Sequence, residues 1–180
     1  GRQTIAEHPH PFDNVRRPIK PNASLATKLH TMTITSSDQQ TMNYYMNIGT
    51  FYPASDLGRK LFLEIGMVEE EHVTQYESLM DPTTTWLECL LLHEYGECYL
   101  YYSAMSEETN DVAKKIWAMH FEQELAHLHY AAQLLEKYEK KEWRQVIPDA
   151  EFPELLSFNA NYEKNKHYIR NILKNTVNNT

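Results

Sequence analysis

Two Glu-x-x-His motifs constrain this chain more than any other feature of its sequence. They occupy residues 69–72 and 124–127. Residues three positions apart lie one turn apart on the same face of an α-helix, so the carboxylate and imidazole of each motif can reach one metal ion. Each motif also has an upstream acid: Asp38 lies 31 residues before Glu69, and Glu94 lies 30 residues before Glu124. The repeat predicts two helical hairpins with the same ligand layout.

Composition predicts that the chain is all-α. A length of 180 residues with 42% apolar residues suits one domain with a proper core. There are only 5 glycines, and long stretches rich in Leu, Glu, Met, Ala, Tyr and Lys favour helices over strands.

Charge and hydropathy exclude several classes of protein. The net charge is −8 and no long basic run is present, so we expect no nucleic-acid partner. No apolar stretch approaches the length of a membrane-spanning helix, and no secretion signal opens the chain, so we expect no membrane partner and a cytoplasmic location. The two cysteines, Cys89 and Cys98, form no Cys-x-x-Cys pair and are expected to pack as reduced side chains. The chain begins Gly1-Arg2 without a methionine, so we expect it to be part of a longer protein.

Helix-capping residues and prolines divide the chain into three segments. Residues 1–24 contain four prolines and are expected to form an extended arm. Residues 25–138 are expected to form a bundle of four helices, at approximately 25–51, 56–80, 85–104 and 111–137. Residues 139–180 are expected to form a C-terminal helical extension that packs on the bundle, with a helix near 159–175.

The motif residues interrupt the apolar stripes of their helices. In the second helix Glu69 and His72 continue a stripe that begins at Phe62 and Ile65, and in the third helix Glu94 and Glu97 share a stripe with other inward residues. Burying ionised carboxylates without partners costs several kcal/mol each. Bound cations would compensate for this cost, with hydrogen-bonded polar groups of the core as the alternative.

Three other histidines lie near the motif residues in the sequence. His93 and His129 fall outside the stripes and are expected to be exposed. His120 lies one turn before Glu124, and we expect a satisfied core histidine there, with a hydrogen bond to the ligands as the alternative.

The arrangement resembles the ferritin-like four-helix bundle, in which two helices each supply an acid and the other two each supply Glu-x-x-His. Within that superfamily the chain is most similar to rubrerythrin-like domains, because Glu94-Tyr95-Gly96-Glu97 matches their Glu-x-x-Glu and residues 69–72 match the run in their second helix. The resemblance covers residues 25–138 and implies a di-iron carboxylate protein, commonly a homodimer. The implied metal ligands are Asp38, Glu69, His72, Glu94, Glu97, Glu124 and His127, with no catalytic or cofactor-binding residues beyond them.

The chain departs from the family in two respects. Asp38 stands where the family has glutamate, so its shorter arm leaves Gln39 or His30 as alternatives facing the site. This sequence does not contain the cysteine-rich module that delivers electrons to rubrerythrins. Unless that module lies in a part of the protein outside this sequence, turnover would need a separate electron-donor protein.

Coordination chemistry assigns a role to each expected ligand. His72 and His127 would each bind one metal, Glu69 and Glu124 would bridge the two metals, and Asp38 with Glu94 or Glu97 would occupy the outer positions. Mostly oxygen donors favour two iron ions, with manganese or zinc as alternatives.

Three functions are compatible with such a sequence. The first is a rubrerythrin-like oxidoreductase whose small-molecule substrate is peroxide or O₂. The second is ferritin-like iron oxidation and handling. The third is a structural or regulatory domain without enzymatic activity, because a shared fold does not fix a function.

Overall fold

The computed structural model describes residues 17–48, 56–157 and 162–176, and these residues form an all-helical bundle without strands. We number the α-helices in chain order. They are α1 (Leu25–Ile48), α2 (Asp56–Glu77), α3 (Trp86–Glu107), α4 (Asp111–Leu134) and α5 (Tyr162–Thr176). A π-helical turn (Leu135–Glu139) continues α4, and a 3-10 turn (Trp143–Gln145) follows it.

The bundle consists of two helical hairpins. Helix α1 packs along α2 in the first hairpin, α3 packs along α4 in the second, and a smaller contact between α1 and α3 joins them. Gly66 permits the close packing of α2 on α1, because a Cβ atom there would lie 3.0 Å from the Cε atom of Met46. Each Glu-x-x-His motif and its upstream acid therefore lie on the two paired helices of one hairpin.

Local hydrogen bonds explain where α3 and α4 begin. Thr85 and Glu88 form a capping box, in which each side chain accepts a hydrogen bond from the backbone N–H of the other residue. The side chain of Asn110 accepts from the backbone N–H groups of Val112 and Ala113 at the start of α4. Both caps satisfy backbone donors that a helix leaves without internal partners.

Helix α1 is continuous although it is rich in threonine. The hydroxyls of Thr31, Thr35 and Thr41 each donate to the carbonyl oxygen four residues earlier, at 2.8–3.0 Å. Ser24 accepts from the N–H of Thr27 and caps the helix, as the sequence predicts. The hydroxyl groups are thus satisfied within the helix.

The core is centred on α3. Leu91, Leu92 and Tyr95 are buried together with Leu29 from α1 and Leu135 from the π-helical turn. Residues 147–156, which we call the strap, cross over α3. The strap is held by the hydroxyl groups of two tyrosines and of one serine, in the pairs Tyr95–Glu151, Tyr99–Glu154 and Ser103–Leu156.

Some boundaries differ from the predicted ones. Helix α2 ends at Glu77 rather than near Met80, because Leu79 and Met80 donate to carbonyls three residues back and tighten the chain into a turn. Helix α3 continues past Ala104 to Glu107. The end predicted near Phe51 for the first helix and the arm over residues 1–16 lie outside the described residues. In the described part of the chain, no helix is both long and apolar enough to cross a membrane.

Candidate metal centre

The first hairpin brings Asp38, Glu69 and His72 together. One donor atom from each lies within 4.8 Å of the others. Glu69 and His72 lie one turn apart on α2, and the Nδ1 atom of His72 is 3.3 Å from a carboxylate oxygen of Glu69. Asp38 completes this first group from α1, as the repeat predicts.

The second hairpin forms an equivalent group from Glu94, Glu124 and His127. These three donors also lie within 4.8 Å of one another. The Nδ1 atom of His127 is 2.8 Å from Glu124 and 3.7 Å from Glu94. Each group therefore offers two carboxylates and one imidazole to a single ion.

Electrostatics in the first group favour a cation. Burial, followed by the negative charge of Glu69, raises the pKa of Asp38, while His72 partly opposes the shift. The Oδ2 atom of Asp38 is buried and has no hydrogen-bond partner among the described residues. A buried carboxylate oxygen without a donor is costly, and a metal ion would satisfy it.

The second group shows the same electrostatic pattern. Burial and a hydrogen bond with Glu124 raise the pKa of Glu94, whose side chain is only 14% exposed. The hydrogen bond with Glu124 raises the pKa of His127, so His127 and Glu94 both hold their protons more tightly than free side chains do. A cation would replace these protons when it binds.

Glu97 lies beside the second group rather than within it. It lines a cleft of about 900 Å³ together with Glu94, Glu124 and His127, and the opposite wall is formed by polar residues of α1. Burial raises the pKa of Glu97, the charge of Glu124 adds to this shift, and His93 opposes it. The structure therefore places Glu94 among the close donors and Glu97 next to them.

The two groups keep to their own hairpins. Within ranges 17–48, 56–157 and 162–176, the ion pairs of His72 and His127 stay inside their own groups. The charges that act on Asp38 are those of Glu69 and His72, whereas those on Glu94 belong to the second hairpin. Bridging of two metals by Glu69 and Glu124 stays a prediction.

Aromatic side chains surround the second group. The ring of Tyr101 stacks on His120 with centroids 5.2 Å apart and on Trp117 at 6.3 Å. Burial raises the pKa of Tyr101, and the charges of Glu97 and Glu124 raise it further. His120 is half-buried in this stack and does not belong to the buried core.

Two residues near the groups were not identified from the sequence. His93 was expected to be exposed, which is wrong: it is half-buried and lines the cleft. Its spacing of four residues from Glu97 could have indicated this. The sequence gives Glu70 no role beyond its place inside the first motif. The structure buries its side chain in α2, with only 6% of its surface exposed. His129 is exposed, as expected.

Comparison with protein-family models, with curated proteins and with solved structures found no match to this chain. The chemistry of this chain is therefore inferred from the two groups themselves. Their donors fit a divalent transition metal, because carboxylate oxygens and an imidazole nitrogen converge in each group, and the buried oxygen of Asp38 has no hydrogen-bond partner in the part of the chain that the structure describes.

Proposed function

We propose that this protein is a ferritin-like metalloprotein that binds two transition-metal ions, one at each group, and reduces peroxide or O₂ in the manner of rubrerythrins. One observation carries the proposal: each hairpin joins an acid of its first helix to the Glu-x-x-His motif of its second, and the three donor atoms of each group lie within 4.8 Å of one another. A single cluster of this kind is common on acidic proteins. Its repetition at matched positions of two hairpins supports a metal function.

The donors support iron or manganese in preference to metals that favour sulfur. Each group supplies two hard oxygen ligands and one nitrogen, and neither cysteine belongs to a group. Two ferrous ions, when bound, would supply the two electrons that convert one peroxide and two protons to two waters. A separate protein would return the electrons.

The surroundings of the second group suit a small substrate. The imidazole of His127 is 61% exposed, and the adjoining cleft is lined by carboxylates on one side and by amide and hydroxyl groups on the other. Peroxide and O₂ are small enough to enter such a cleft. Glu97 lies beside Glu94, and we assign it the role of an exchangeable ligand.

The test begins with protein produced in iron-supplemented cells. Elemental analysis should give two irons per chain, and the ferrous protein should develop ferric absorption rapidly after peroxide is added. A metal-free, stably folded protein that is inert to peroxide would contradict the proposal and favour a structural role.

Native mass measurement on the same sample separates the remaining alternative. We expect a homodimer, as the family resemblance implies. A closed shell of many subunits that accumulates more than two irons per chain would instead support iron handling.

A further inference from the structure

A second feature of the molecule is an apolar cavity of about 270 Å³ on the other side of α3 from the cleft. It lies between α3, α4 and the strap. Its walls include Leu91, Leu125, Leu128, Ala132, Trp143 and Phe152. None of these residues belongs to either metal group.

The strap keeps the cavity from collapsing. The hydroxyl of Tyr95 donates to the carbonyl oxygen of Glu151, and that of Tyr99 donates to Glu154 at 2.8 Å. Phe152 packs between these two tyrosines, with ring centroids 5.3 and 5.9 Å away. Because the strap is fixed to α3 at several points, it cannot sink into the space beneath it without losing these bonds.

The lining selects for a neutral ligand. Its polar side-chain groups are the Tyr95 hydroxyl, which is already bonded to the strap, the buried thiol of Cys98, the indole N–H of Trp143 and the exposed imidazole of His129. Among the residues that the structure describes, no carboxylate, lysine or arginine lines this cavity. Carboxylates outside the lining act on Tyr95 and Cys98, but none of them lines the cavity. An ion would therefore lose its hydration there without direct contact with a carboxylate, lysine or arginine, whereas an apolar molecule would be removed from water favourably.

The volume sets the size of the ligand. An apolar protein cavity of about 150 Å³ is already large enough to bind benzene. We propose that the cavity beneath the strap binds a small neutral apolar molecule, of the size of one aromatic ring with a short alkyl substituent. The proposal is independent of the metal function, because the residues that carry it are different ones.

Toluene is the probe for the first test, and benzoate is its charged counterpart of similar shape. Isothermal titration calorimetry of the purified protein should show one saturable toluene site with a negative heat-capacity change, and no comparable site for benzoate. Nuclear Overhauser contacts should link toluene to the methyl groups of Leu128 and the ring of Phe152. Absence of saturable toluene binding, or equal binding of benzoate, would overturn the proposal.

Variants of α4 then locate the site. Ala132→Phe should weaken toluene binding by at least about tenfold, because its ring fills the volume that the ligand needs. Ala126→Phe is the matched control, since Ala126 is exposed on the same helix and does not line the cavity. Unchanged affinity in folded Ala132→Phe would refute the location.

A second variant covers the case in which Ala132→Phe does not fold. Leu128→Ala enlarges the cavity and should make naphthalene bind more tightly than it binds the wild-type protein. If Leu128→Ala leaves the affinities for both toluene and naphthalene unchanged, the ligand is not in this cavity.

Discussion

The two candidate groups lie on separate hairpins. This geometry predicts that each group loses its ion independently of the other, whereas the bridged centre that the family resemblance implies predicts that both ions are lost together. Glu69→Gln and Glu124→Gln are a well-matched pair of test variants, because both side chains are only 16–17% exposed and each is the glutamate of its Glu-x-x-His motif. Glutamine keeps the shape of glutamate but removes the anionic oxygen ligand. We expect each single variant to bind one ion and the double variant to bind none.

The magnitude follows from the coupling of binding to folding. An ion present at about 100 times its dissociation constant stabilises the folded state by about 2.7 kcal/mol if it does not bind the unfolded chain. Two independent ions would thus add about 5.4 kcal/mol to the free energy of unfolding, and each single variant would lose about half of this gain. Without metal the variants should show no such loss.

The assay combines metal-to-protein ratios at buffered free Mn²⁺ with urea unfolding in the presence and absence of Mn²⁺. Glu71→Gln and Glu122→Gln are the controls, because each is an exposed glutamate on the same helix as its test residue and lies outside both groups. Retention of two ions in either test variant would refute the ligand assignment. Loss of both ions from a single variant would refute independence and establish that the groups share a bridged centre.

Two further predictions concern protonation and the cap of α3. In the metal-free protein the pKa of Glu94 is raised above its unfolded value of about 4.5, so the folded state binds this proton more tightly than the unfolded state does. The fold therefore loses stability as the pH rises from about 4.5 through the raised pKa of Glu94. The free energy of unfolding of Glu94→Gln, relative to that of the wild type, should therefore be higher at neutral pH than near pH 4.5. Urea unfolding with a chelator measures this difference, and an identical pH dependence of the two proteins would contradict the prediction. Separately, Glu139 accepts from the hydroxyl of Thr85 and, at 3.2 Å, from the N–H of Leu87. Glu139→Ala should lower the free energy of unfolding by about 2 kcal/mol, because it removes two hydrogen bonds at a helix N-terminus. Urea unfolding measures this loss, and a loss below about 0.5 kcal/mol would count against the role of Glu139 as a cap.

The sequence predicts the features that depend on local spacing. Ser24 caps α1, α3 begins next to the predicted start at residue 85, and α4 begins at Asp111 as predicted. The pairing of glutamate with histidine inside each motif follows directly from the three-residue step of a helix. The upstream acids Asp38 and Glu94 reach their motifs because a short connection makes each helix pair antiparallel.

The sequence was less informative about which face of α3 is buried. The predicted stripe that contains Glu94 and Glu97 is only half-buried there, and both residues line the cleft. The buried face instead carries Leu91 and Tyr95, together with Leu92, Cys98 and Tyr99. Apolar and aromatic residues occur on nearly every side of this helix, so hydrophobic periodicity could not single out one face. The strap covers the face that carries Tyr95 and Tyr99. Its hydrogen bonds join residues more than 50 positions apart in the sequence, which no local pattern encodes.

The same distinction between local and distant contacts determines how the metal site can form. Each group is assembled by two helices of one hairpin, so an ion held by its donors would contact that hairpin alone. The arrangement of one group relative to the other depends on the smaller contact between α1 and α3. Bridging by Glu69 and Glu124 therefore requires an interaction between hairpins that the repeat alone does not specify, whereas binding of one ion per hairpin requires only the spacing that the sequence repeats.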